Sequence, residues 1–500
     1  MTSALRPVMQ RVALDEGGAG DDDRVPSGPQ RLRSAVARLR TWAGRRPARA
    51  AVAAAAALAV VLTAVIGTPR WVAGHEREAV LGAAPFAGAV RPLGSAPRER
   101  WSATVDGSVA PVLAGDVVVV TQTGPTGRRV VGLDVVAGSP RWSVALDADL
   151  VPETVLCRPV GADLVCVVGP EAPSDSRRFV PDDPDRPDAP GAEAGASVLL
   201  RIDPADGHVR SRSEVPGWVV ATAPSGSDLV VATYAWGMVA VRRLDPATGE
   251  ARWETQRWST FQSAGSSRVS LVAAGDLVMA TGNEVTLLLD ARTGERLPRP
   301  RGASVSDQVR LLDDGTLVRT RFRVRETGVD ALSELSVGRQ DPWFTVRGSL
   351  VEPGVSDGTS GLVFAASGLT GGPLGGRVRA YAPGSSEAVW RALTPAPEVA
   401  ADVAGRVVVR GAGALVGLDA RTGEQVWRRS FGPAMGRTFT DGEHLVVERE
   451  TAGGSPSLTA IRLDDGETAW DAPLPVDAPR PLRLGQHLYA LGDSRLVALR

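Results

Sequence analysis

The 500-residue chain has no lysine, two cysteines, four histidines and three tyrosines, and aromatic residues make up only 5% of it. Without lysine there is no Walker-type phosphate loop, whose lysine must reach the β- and γ-phosphates. His75, His208, His444 and His487 are scattered and form no HExxH or paired metal-ligand spacing. No serine stands in a GxSxG elbow; GSSR at 265–268 and GTSG at 358–361 have turn composition. Neither charge sign dominates: 56 basic and 57 acidic residues leave a net charge of −1. The whole chain therefore lacks the basic excess of a nucleic-acid binder. Its basic residues are all arginine, and with abundant Ala, Gly and Val they point to a GC-rich genome of actinobacterial type.

What the chain does have is 56 glycines, 37 prolines and 12 tryptophans. An ordinary core stops growing near ~250–300 residues, so this length and turn-rich composition favour an architecture that grows by repetition. Residues 50–69 carry no charge, and the apolar run AAVAAAAALAVVLTAVIG at 50–67 is long enough to cross a bilayer as a helix. Seven arginines and no acid lie between 31 and 49, whereas Glu76 and Glu78 follow the run. The positive-inside rule then puts a disordered, Arg-rich tail (1–49) in the cytoplasm, a transmembrane helix at 50–69 and everything later outside. The alternatives are a cleaved signal peptide, with an unusually long leading region, and a buried Ala-rich helix. Residues 70–97, rich in Ala, Gly and Pro, are expected to be a stalk.

One decapeptide recurs from there on. It reads LDVVAGSPRW at 133–142, LDPATGEARW at 244–253, LDARTGERLP at 289–298 and LDARTGEQVW at 418–427. Weaker copies start at 202, 334, 381 and 461, and most steps fall between 37 and 47 residues, a propeller period. The repeated residues have a common logic. Asp134, Asp203, Asp245, Asp290 and Asp419 end an apolar run, where a carboxylate can accept backbone N–H groups two residues on and close a turn. Gly249, Gly294 and Gly423 can take the positive φ of the reversal. Trp142, Trp253, Trp343, Trp390, Trp427 and Trp470 then begin an outer strand.

These motifs resemble the pyrroloquinoline-quinone (PQQ) repeat family, which includes quinoprotein alcohol dehydrogenases and the non-enzymatic assembly factor BamB. The resemblance covers 98–500 and implies an all-β, PQQ-like β-propeller. Eight decapeptides plus a split blade make nine modules. Eight blades are favoured, because the module at 299–343 is degenerate and eight is the familiar family number. The chain ends in a third-strand sequence, SRLVALR at 494–500, and RERWSATV at 98–105, with Trp101, reads as the missing fourth strand. The N-terminal strand is therefore expected to complete the last blade and close the ring.

Cys157 and Cys166 lie nine residues apart in TVLCRPVGADLVCVVG. With a two-residue turn at Gly161–Ala162 they face each other in a non-hydrogen-bonded pair, within disulfide reach; the other reading is two buried free thiols. Family dehydrogenases place a disulfide of adjacent cysteines against the quinone. No adjacent pair exists here, so no catalytic, cofactor or metal residue is carried over. Asp182, Asp183, Asp185 and Asp188 in the Pro-rich insertion 171–196 offer oxygen ligands without a calcium-loop spacing, and a disordered, solvated loop is the plainer reading. Trp218, Trp236 and Trp258 lie outside the repeat and either fill space between blades or form an aromatic face. The expectation is a non-catalytic, membrane-tethered scaffold that needs no cofactor and binds a protein partner of the cell envelope. A PQQ enzyme and a ligand sensor coupled to a membrane partner are the alternatives.

Overall fold

The computed structural model describes residues 84–500 except 126, 147–153, 171–195, 236–237, 259–268, 283–285, 299–306, 326–327, 338–343, 368–375, 395–397, 412, 433–434 and 452. The expected tail, membrane helix, acidic insertion, Trp236 and Trp343 thus lie outside the described residues, as does the side chain of Trp258. Regular structure among the described residues is entirely β.

Nine antiparallel sheets follow one another along the chain. Eight are continuous in sequence: blade 1 (112–145), blade 2 (154–216), blade 3 (218–258), blade 4 (270–290), blade 5 (308–347), blade 6 (349–394), blade 7 (398–430) and blade 8 (435–473). The ninth joins Arg480–Leu484, His487–Leu491 and Arg495–Leu499 to the N-terminal strand Glu99–Thr104, which pairs antiparallel with Arg495–Leu499.

The count of eight is corrected to nine. Blade 5, the degenerate module, is a four-stranded sheet although its decapeptide has Leu335 and Arg339 where the strong copies have Asp and Gly. Its pairing residues alternate well enough to form a ladder, and buried Arg319 ties it together through Asp307 (2.7 Å) and Glu334 (3.1 Å). Blade 4 has only three described strands. Where other blades have Trp, it has Leu297–Pro298, and proline cannot donate to a ladder.

Successive sheets pack face to face through apolar clusters, one to each junction. Val119, Trp142, Val155 and Leu200 join blades 1 and 2; Trp101, Val118, Leu133 and Tyr489 join blade 9 to blade 1. Burial on both faces explains the near-continuous apolar runs of the inner strands, such as Val117–Val120.

The stalk expected over 70–97 is also corrected in its described part. Residues 84–97 lie on the propeller: Ala89, Val90 and Leu93 are buried, Val90 donates to the Thr440 carbonyl (2.7 Å), and the Leu93 N–H donates to Asp441 Oδ2 (2.8 Å).

Candidate interaction surface

The repeated residues are used up in joining the blades. Asp134 Oδ1 accepts the N–H groups of Val136 and Ala137, both at 2.8 Å. Asp290 binds Arg292 and Thr293, and Asp419 binds Arg421 and Thr422, in the same way. Asp203 and Asp245 each hold the N–H two residues on. The tryptophan of one blade then lies on the turn of the next. The indole N–H of Trp101 donates to Val135, Trp142 to Pro204, Trp253 to Ala291, Trp390 to Ala420 and Trp427 to Leu463, at 2.7–3.2 Å. Gly423 shows why a glycine stands there: its φ is +72°, and a Cβ would come within 2.6 Å of the Trp390 ring. In blade 2, Ser211 replaces the indole and its hydroxyl donates to Pro246 (3.0 Å). Blade 9 has no decapeptide, so Trp470 has no following turn; it donates instead to Leu93 of the N-terminal segment (2.8 Å). The sequence signal for that contact was a last tryptophan without a turn to receive it.

Cys157 and Cys166 face each other across the first hairpin of blade 2, with Cα atoms 4.0 Å apart, and are disulfide-bonded. Both are buried in the junction with blade 1. Trp218 stacks on Tyr234 at the start of blade 3. His444 contacts Asp441, while His487 is set among arginines: burial, then Arg91 and Arg100, hold its imidazole down at about 4. Among the described residues no three His, Cys, Asp or Glu side chains converge as metal ligands.

One carboxylate is held differently. The loop after the first strand of blade 6 reaches across to blade 7, where Ser356 and Ser360 donate to Asp402 Oδ2 (3.2 and 2.6 Å). Asp402 is 2% exposed and its Oδ1 has no partner. Burial first, then the Asp357 charge, raises its pKa above the usual carboxylate range, in spite of the two serines.

The outer strands differ around the ring. In blades 1, 2 and 3 the residue at decapeptide position nine is arginine, clamped to the turn aspartate: Arg141 to Asp134, Arg210 to Asp203, Arg252 to Asp245. In blades 6 and 7 that position holds Val389 (53% exposed) and Val426 (45%), and Leu393 lies further along the blade 6 strand at 75%. Three of the four large exposed apolar side chains among the described residues therefore lie on two consecutive outer strands.

A family model described as outer membrane protein assembly factor BamB matches residues 192–332 and 374–500, together more than half of the chain. No curated protein sequence matches. Among solved structures, BamB from Moraxella catarrhalis is similar at 12% identity over 81% of this chain and 99% of its own, with a TM-score of 0.41. The quinohemoprotein alcohol dehydrogenase from Comamonas testosteroni is similar at 12% identity over 83% of this chain and 75% of its own, with a TM-score of 0.33. The dihydro-heme d1 dehydrogenase NirN gives 11%, 78%, 77% and 0.38 in the same order. At these scores the structural likenesses carry no argument about function.

Proposed function

The chain belongs to the PQQ-like β-propeller family of the outer membrane protein assembly factor BamB, and from that premise we propose that it is a non-catalytic scaffold, tethered to the cell membrane through 50–69, whose propeller holds a protein partner outside the cytoplasm. The observation that carries this reading is where the repeat's polar groups go. The aspartates close turns, the indoles bridge blades and the cysteines form a buried staple, so the chemistry conserved from module to module serves the ring itself. The orientation follows from the arginines at 31–49, and a disulfide suits an oxidising compartment. No nucleic acid is involved.

Two experiments test this. The full-length chain in membranes should resist carbonate extraction, and its propeller should be open to an impermeant label on intact cells; a freely extracted or protected propeller contradicts the tether. Adding PQQ and calcium to the purified chain should leave its absorbance and melting temperature unchanged. A new quinone band with a raised melting temperature would make it a quinoprotein.

A further inference from the structure

On the exposed face of blade 6, the third strand Gly376–Tyr381 and the fourth strand Ala388–Thr394 bring Arg379 directly opposite Arg391, and Arg377 opposite Leu393. Like charges facing each other across a sheet destabilise it. Nothing on the face relieves this. Arg379 reaches only Ser367 Oγ (2.9 Å) and the carbonyl of Arg347, on the outer strand of blade 5. Among the described residues no carboxylate pairs with Arg347, Arg377, Arg379 or Arg391; beyond the bonds of Arg379, only the Arg347 backbone is engaged, with the Tyr381 hydroxyl. Val389 and Leu393 flank Arg391 on the same face of the strand, each about 7 Å from it by strand geometry.

We propose that this face of blade 6 is a docking site for an extended, acidic segment of the protein partner, with alternating carboxylate and apolar side chains. The proposal rests on the scaffold reading and gives it an address. A cationic face with no anions of its own calls for anions from outside, and exposed apolar residues between the cations call for a ligand that is not merely a free ion. An extended segment meets both demands because its side chains alternate with the period of the strand. Among the described residues the face has no aromatic side chain on which a base could stack. Its protruding apolar residues, Val389 and Leu393, are separated by Arg391 and form no continuous apolar row of the kind by which a protein enters a lipid interface.

The probe is a short synthetic peptide alternating glutamate and valine, with a lysine–valine control and phosphatidylglycerol vesicles, each titrated against the full-length purified chain. The glutamate peptide should bind, the control should not, and affinity should fall as salt is raised. Arg391→Glu should weaken binding roughly tenfold while raising the melting temperature, since it replaces a repelling pair by an attracting one; that rise shows that lost binding is not lost folding. Equal binding of both peptides, preference for the vesicles, or binding indifferent to Arg391→Glu would overturn the assignment. Crosslinking in intact membranes separates it from its premise: a captured partner mapped to other blades overturns the blade 6 site and leaves the scaffold standing.

Discussion

Blades 3 and 6 are built on one plan and finished in opposite ways. In both, a tryptophan on the fourth strand donates to the next turn, Trp253 to Ala291 and Trp390 to Ala420. The residue after the tryptophan faces the same third-strand position in each: Glu254 opposite Arg242, Arg391 opposite Arg379. In blade 3 the pair is a bidentate ion pair (2.9 and 3.0 Å), with Arg242 also donating to Thr233 and the Pro216 carbonyl. Arg252 adds ion pairs to Asp228 and Asp245, and Gln256 donates to Glu254. In blade 6 those three outer-strand positions are Val389, Arg391 and Leu393. Buried joints have one chemical solution in both blades, whereas the exposed face is free to differ. A face left apolar and repelling within a repeat that can neutralise it is what a binding site requires and stability does not.

The comparison can be broken first at the shared plan. Trp253→Ala and Trp390→Ala should each cost about 3–5 kcal/mol in denaturant unfolding, by removing a buried indole and its hydrogen bond. A marked difference between them would mean that the two joints are not equivalent. It can be sharpened next at the third-strand arginines. Arg242→Ala should destabilise by about 1–3 kcal/mol, since it leaves the buried Thr233 hydroxyl and the Pro216 carbonyl without their donor and breaks the ion pair to Glu254. Arg379→Ala should change stability by less than about 0.5 kcal/mol.

Acid separates the blades as well. Burial raises the Glu254 pKa, but hydrogen bonds from Arg242 and Gln256 and the Arg242 charge outweigh it and hold the carboxyl below its usual range. A carboxylate lowered in the folded state contributes stability above its unfolded pKa, near ~4.3, and loses it as pH falls through the folded value. Glu254→Gln should remove that part of the acid sensitivity of melting, whereas the outer strand of blade 6, Ala388–Thr394, has no carboxylate to do the same. Asp402 has the opposite sign: raised by burial, its contribution is full at low pH and lost as pH rises through the folded value. Asp402→Asn should therefore raise the melting temperature near neutral pH and not in acid.

The blade joints were legible because they depend on local rules. Asp, Gly and Trp at fixed offsets define a turn and its docked indole, and a hairpin of two-residue reach brings Cys157 to Cys166. Blade 5 was undervalued because its decapeptide has Leu335 and Arg339 at the Asp and Gly positions, while its sheet rests on strand pairing and on the buried Arg319 network, which no decapeptide records. Residues 84–97 read as a stalk because they are rich in Ala, Gly and Pro; that Leu93 stands in for a missing turn follows only once blade 9 is known to lack one. The blade 6 face was hidden for a similar reason. Arg379 and Arg391 are unremarkable twelve positions apart, and only the register, with a bulge between Ala380 and Tyr381, sets one against the other.

The most direct measurement is a pair of charge reversals at the equivalent positions, Glu254→Arg and Arg391→Glu, melted side by side at neutral pH and low salt. Blade 3 arranged for stability and blade 6 for binding predict shifts of opposite sign, down for Glu254→Arg and up for Arg391→Glu, each corresponding to about 0.2–1 kcal/mol and shrinking as salt is added. If both reversals lower the melting temperature, Arg391 is held by contacts that stabilise the blade, and the claim that its face is kept for an acidic partner is wrong.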